Sequence, residues 1–151
     1  MGRRNREWVS QDTGSFHVIS RIVGQERLLK TNEKEYFLNL LERFASGFFV
    51  QIHNFSILDN HIHILLTGLN LDAQQASKKE LLQRYKKLYP RESEPPPGSY
   101  EHNGTLIPDD DYGIERLRER LGSVSRFMQE LKQSFSRYFN KNHNNRKRGQ
   151  T

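Results

Sequence analysis

Phe48-Phe49-Val50-Gln51-Ile52-His53-Asn54-Phe55-Ser56-Ile57-Leu58-Asp59-Asn60-His61-Ile62-His63-Ile64-Leu65-Leu66 is the stretch from which the fold is read. The run over 48–58 reads as a strand, and Asp59-Asn60 supplies a two-residue turn into a second strand. Strand side chains alternate between faces, so Ile62, Ile64 and Leu66 point one way while His61 and His63 point the other. The apolar face can pack on a core. Two imidazoles are then left side by side on the opposite face, roughly 6–7 Å apart at a rise of about 3.3 Å per residue. Imidazoles that close can converge on one divalent cation when another oxygen or nitrogen ligand joins them. The competing reading is a half-exposed strand that carries two histidines without a metal.

Upstream, Phe16-His17-Val18-Ile19-Ser20-Arg21-Ile22-Val23 reads as a first strand, rich in β-branched residues. A helix follows. Asn32 and Glu35 have capping-box spacing, and Phe37, Leu40, Leu41 and Phe44 recur at the helical period until Ser46-Gly47. The order strand, helix, strand, strand is the opening of a split βαβ unit. The expected fold class is therefore α+β, a ferredoxin-like antiparallel sheet with helices on one face.

Downstream of Gly68 the pattern turns helical. Residues 74–89 carry Leu81, Leu82, Tyr85 and Leu88 on one stripe. Residues 90–112, with Pro95-Pro96-Pro97-Gly98 and Asp109-Asp110-Asp111, read as a flexible surface insert. A long helical pattern runs from Ile114 through Leu121 and on from Val124 to Phe139. At Gly122-Ser123 it either kinks or passes to a new helix with Ser123 as N-cap. Residues 140–151 are polar and without periodicity, a basic C-terminal tail.

At 151 residues the chain is expected to form one domain, 1–151, with a sizeable core. It has no cysteine, which excludes disulfides, thiolate zinc sites and a cysteine nucleophile. No apolar segment follows the basic start Met1-Gly2-Arg3-Arg4-Asn5-Arg6, and no run is long enough to span a membrane. A cytoplasmic protein is the expectation.

The net charge is +6, and its placement is informative. From Leu131 to Thr151 there are six cations, Lys132, Arg137, Lys141, Arg146, Lys147 and Arg148, and no acid. The remainder balances at 18 cations against 18 acids. A cationic segment laid along a helix suits a polyanion, and six phosphate contacts would give a salt slope of about −5 on duplex DNA. A solubilising tail is the plainer alternative.

A cation held by His61 and His63 would polarise a phosphate oxygen and stabilise a departing alkoxide. The attacking group would be a metal-bound water or, in a chain without cysteine, a tyrosine. Tyr138 lies on the basic helix, yet it shares the stripe of Leu131 and Phe135. Its ring is therefore expected in packing, and its catalytic use is a fallback. Tyr85 and Tyr89 have weaker cases, and His17, His53, His102 and His143 read as structural or surface residues. A histidine-triad hydrolase would need a third alternating histidine where Leu65 stands, and two-histidine phosphoesterases would need a second histidine motif that is absent. An RNA-recognition module shares the strand–helix–strand–strand opening and would stack bases on Phe49 and Phe55.

Three segments carry a family resemblance: His17-Val18-Ile19-Ser20-Arg21, Asn60-His61-Ile62-His63-Ile64-Leu65-Leu66, and Met128-Gln129-Glu130-Leu131-Lys132-Gln133 running on to Arg137-Tyr138-Phe139-Asn140. In order and spacing they resemble the IS200/IS605-type single-tyrosine transposases with a histidine–hydrophobic–histidine strand, and most of all their REP-associated branch. The resemblance implies binding of single-stranded or hairpin DNA, a divalent metal (Mg²⁺ or Mn²⁺) on His61 and His63, and a homodimer. It also implies strand cleavage by a tyrosine, leaving a 5′-phosphotyrosine and a free 3′-hydroxyl. In that family the segment matching Gly149-Gln150-Thr151 runs on into a further strand and a helix bearing the nucleophilic tyrosine and another metal ligand. The expectation is a chain that stops short of both, in which Tyr138 matches the helix before them.

Overall fold

The computed structural model describes residues 13–21, 29–89 and 111–148. Its elements run in the order β1 (Thr13–Arg21), α1 (Thr31–Gly47), β2 (Val50–Ile57), β3 (His61–Leu69), α2 (Asn70–Gln75), α3 (Lys78–Leu88), α4 (Asp111–Leu121) and α5 (Val124–Arg148). The fold is α+β. Three antiparallel strands in the order β1-β3-β2 put the histidine strand in the middle, an arrangement consistent with a ferredoxin-like split βαβ unit.

The hairpin forms as its turn residues dictate. Ile57 pairs with Ile62, and the Leu58 N–H donates to the His61 carbonyl at 2.8 Å, which leaves Asp59-Asn60 as the loop. That turn is tied to the start of α1: the Asp59 carbonyl accepts from the Leu29 N–H at 2.6 Å, and its carboxylate from Lys34 Nζ at 2.8 Å. The α1 cap sits earlier than Asn32 and Glu35 suggest. Lys30 is the cap residue and its N–H donates to Glu33 Oε1 at 3.0 Å. Asn32 instead occupies the first turn of the helix.

Ile62, Ile64 and Leu66 are fully buried, so β3 gives one face to the core. β2 keeps its apolar residues on that side by a β-bulge. Ile52 pairs with Leu66 but Asn54 with Leu65, so His53 is the extra residue. The bulge changes the alternation and sends Phe55 and Ile57 to the core side, opposite Ile64 and Ile62. The sequence signal is a gap of three between apolar positions 52 and 55.

Aromatic rings knit the helices to this face. Phe44 stacks on Phe48 at 6.0 Å, Phe48 meets Phe127 edge-on at 5.6 Å, and Phe37 meets Phe135 edge-on at 5.3 Å. The helical stretch over 74–89 is two helices. Ala76 ends α2, and Ser77 caps α3, its Oγ accepting from the Glu80 N–H at 3.2 Å. The junction at Gly122-Ser123 follows the same logic: Ser123 Oγ accepts from the Arg126 N–H at 3.2 Å. The last helix continues through Arg148, beyond the tail boundary at 140. Of the insert expected over 90–112, Asp111 and Tyr112 belong to α4, and the rest lies outside the described residues.

Arginines close the helix ends. Arg84 Nη1 donates to the carbonyls of Gly47 (3.3 Å) and Phe48 (3.2 Å) at the end of α1, and its guanidinium lies 3.8 Å from the Phe49 ring centroid. Arg118 Nη1 does the same for α2, reaching Ala73 O at 2.8 Å and Ala76 O at 2.6 Å. Glu130 is fully buried. It accepts from the Tyr89 hydroxyl at 2.8 Å and from Arg120 Nε at 2.8 Å, with a second Arg120 bond through Nη2. Burial and the Glu130 charge push the Tyr89 phenol far above its ordinary value, so it remains a donor.

Two stability outcomes follow. A Cβ on Gly47 would meet Leu88 Cγ and Cδ2 at 2.4 Å, so Gly47→Ala should cost about 1–3 kcal/mol in denaturant unfolding. Glu130→Ala leaves the half-buried Arg120 without its carboxylate partner and should cost about 3 kcal/mol. Midpoints unchanged from the parent chain would refute the close α1–α3 approach and the buried ion network respectively.

Candidate functional site

The face of the sheet turned away from the core is built around β3. His61 and His63 are half-buried there, with Leu65 and Thr67 continuing the row. Directly opposite residues in an antiparallel pair share a face. In β1, Arg21 stands opposite His61, Ile19 opposite His63, His17 opposite Leu65 and Ser15 opposite Thr67. From β2, Ser56 stands opposite His63 and Asn54 opposite Leu65.

His17 thereby becomes the diagonal neighbour of His63. Their ring centroids are 5.6 Å apart, with planes inclined at 37°. This proximity was not read from the sequence, where His17 stood as an isolated residue. The signal was present all the same: His17 alternates with Phe16 and Val18, which assigns it to the polar face of a strand that must pair with β3.

His61 is oriented differently. Its Nδ1 lies 2.6 Å from Asn60 Oδ1, in the hairpin turn. An amide oxygen only accepts, so Nδ1 carries the proton and the Nε2 lone pair is left for a ligand. At the far end of the face, His53 Nε2 sits 2.6 Å from Thr67 Oγ1, which lies 3.0 Å from Ser15 Oγ. This polar chain crosses all three strands, and the bulge is what brings His53 into it. Four histidines thus share one sheet face.

The donors on this face are imidazole nitrogens together with the neutral oxygens of Ser15, Asn54, Ser56 and Thr67. Register places Arg21 on it and no Asp or Glu of the three strands. Among the described residues no three histidine, aspartate or glutamate side chains converge on one point as a complete metal-binding group. His61 and His63 offer an incomplete nitrogen set. A hard ion such as Mg²⁺ favours charged oxygens, which these strands do not supply.

The other expected site residues lie elsewhere. Lys132 is half-buried, and Arg137 and Lys141 are exposed, all on α5. Arg137 and Lys141 are one turn apart on one flank of the exposed side, while Lys132 falls about 140° round the helix from Arg137. The structure does not join these cations to the imidazoles through any contact among the described residues. Arg146, Lys147 and Arg148 complete the same helix, with side chains outside the described residues. Tyr138 stacks on Tyr36 of α1, ring centroids 3.5 Å apart and planes within 8°. It is packed as the stripe of Leu131 and Phe135 predicts.

The aromatic platform of an RNA-recognition module is not formed. Phe49 is 1% exposed, and Phe55, though 42% exposed, is aligned with buried Ile64 on the core side. Among the described residues, the three strands put no aromatic side chain other than imidazoles on the open face.

No family model, curated protein or solved structure matches the chain. Among the described residues no helix is long and apolar enough to cross a membrane.

The Tyr36–Tyr138 stack yields a direct check. Tyr138→Phe keeps the ring pair and should shift stability by less than about 0.5 kcal/mol, whereas Tyr138→Ala should cost about 3–5 kcal/mol. Equal losses in the two variants would show that the hydroxyl, and not the ring, is what the site needs.

Proposed function

We propose that this chain is a DNA-binding domain of the single-tyrosine transposase type, acting on single-stranded or hairpin DNA. The observation that carries the reading is the placement of His61 and His63 on the open face of the central strand, in a sheet whose other face is core. The cationic α5 supports it by offering phosphate contacts along one helix. Assembly as a homodimer in the cytoplasm goes with the same reading.

The divalent metal of this proposal, Mg²⁺ or Mn²⁺, would be held by His61 and His63, and its chemistry would be polarisation of a phosphate oxygen. The chain's own contribution is orientation. Asn60 fixes the His61 tautomer, and the β3 backbone fixes the spacing of the two rings. The hard ion's preference for oxygen is met on this reading by phosphate oxygens of the DNA. Tyr138 has no part in the chemistry as placed, since its ring is stacked on Tyr36. A covalent step would need an attacking group other than Tyr138. The chain as given should therefore leave labelled hairpin DNA uncleaved with Mg²⁺ or Mn²⁺ on a denaturing gel, and an adduct lost in Tyr138→Phe would overturn this.

The binding test is salt dependence. Replacing Lys132, Arg137 and Lys141 together by Gln should flatten the log–log salt slope for hairpin DNA by about 2–3, at about 0.7–0.9 per phosphate contact. Hairpin DNA should also bind more tightly than an unstructured strand of equal length or single-stranded RNA. An unchanged slope, with no preference for the hairpin, would sink the proposal.

A further inference from the structure

We infer that His17 and His63, from adjacent strands, are the paired ligands of a site for a nitrogen-preferring divalent transition ion of the Co²⁺, Ni²⁺ and Zn²⁺ class. The inference shares with the proposed function the view that this face bears metal. It does not depend on DNA binding, and it assigns both a different ligand pair and a different class of ion.

Geometry comes first. A metal–imidazole bond of about 2.1 Å puts each ring centre about 3 Å from the ion. Two rings bound at a cis angle then stand about 5 Å apart. The observed separation of 5.6 Å with a 37° tilt needs only small side-chain rotations to close on one ion. No ring contact of that kind joins His61 to His63. His61 Nδ1 is instead engaged by Asn60 Oδ1 in the turn.

Charge and competition point the same way. Arg21 stands opposite His61, and no cationic residue of the three strands stands opposite His17 or His63. His63 has Ile19 opposite, and His17 has Leu65. Ile19 and Leu65 are 58% and 41% exposed and flank the pair, while Ser56, opposite His63 on β2, adds a neutral hydroxyl and no charge. Neither His17 nor His63 is hydrogen-bonded to a described residue, so both rings are free to turn their nitrogens inward. Neutral imidazoles without a carboxylate favour ions in the Irving–Williams order, Co²⁺ below Ni²⁺ with Zn²⁺ comparable, over Mg²⁺. Water fills the remaining positions, so the absence of a third protein ligand limits affinity without preventing binding.

The test uses the full chain without DNA. Zn²⁺ is titrated calorimetrically into the parent protein and into His17→Gln, His63→Gln, His61→Gln and His53→Gln, with folding confirmed by circular dichroism. Expected are losses of at least about tenfold, about 1.4 kcal/mol, for His17→Gln and His63→Gln, and less than about threefold for the other two. In the unmodified chain, Co²⁺ should broaden the His17 and His63 ring resonances together before that of His53, which keeps the test open if a variant misfolds. A loss in His61→Gln with His17→Gln unaffected would overturn the inference and leave the ion on His61 and His63, as the proposed function has it. Equal affinity in all variants would overturn both metal assignments. The hairpin salt slope reads the DNA proposal independently of either result.

Discussion

β3 is hydrogen-bonded on both sides, and this makes its side-chain phase the constraint on everything around it. With Ile62, Ile64 and Leu66 fully buried, a slip of one residue would bury His61 and His63 and expose the three aliphatic chains. Each aliphatic chain is worth roughly 1.5–3 kcal/mol of burial, and each imidazole would enter the core without a partner. The register is therefore fixed by the core, and the chemistry of the outer face is its by-product. β1 and β2 inherit that phase through their ladders. The bulge at His53 is the adjustment that lets Phe55 and Ile57 obey it after Val50 and Ile52 already have.

The helix layer explains why composition alone overstates the basic surface. Arg84 and Arg118 are turned onto the carbonyls that end α1 and α2, and Arg120 onto buried Glu130. Arg126 Nε also lies 3.5 Å from Glu130 Oε2. These guanidiniums satisfy orphan carbonyls and a desolvated carboxylate, which lysine's point charge would do less well. They balance acids in the sequence and are spent inside the fold. Arg137 and Lys141 on α5, with no acid from Leu131 onward, are different in kind because they face solvent.

Much of this was legible in the sequence. The Asp59-Asn60 turn, the alternation of β3, the Ser123 cap and the stripe that packs Tyr138 all follow from local rules, and the structure has them. What was not legible depends on which strands meet. His17 carries no local mark of its partnership with His63, because 46 positions separate them and only the β1–β3 ladder closes the distance. His53 was hidden behind a bulge whose sign, one gap of three in a two-residue period, is easily taken for noise. The cap at Lys30 eluded a rule that ranks Asn above Lys, since Glu33 reaching back to the backbone can define the start without a capping side chain. The helix beyond Asn140 was missed because its sequence has no apolar period from which a helix could be read.

The strand that carries His17 is also the one with least to hold it. Among the described residues β1 lies at the sheet edge, paired with β3 alone, and its core-side residues Phe16 and Val18 are only partly buried. α1 is tied to the hairpin turn through Asp59, and β2 to α4 through the Phe49 N–H on the Leu121 carbonyl at 2.8 Å. No comparable tie to a helix is described for β1. Local opening should begin where apolar contacts are fewest, which places this edge at the low-stability end of the domain. An ion shared by His17 and His63 would act there as a crosslink between β1 and β3. It would stabilise the closed sheet by RT ln(1 + [M]/Kd), with little effect on the aromatic layer beneath. Metal occupancy and order in β1 would then be two readings of one equilibrium.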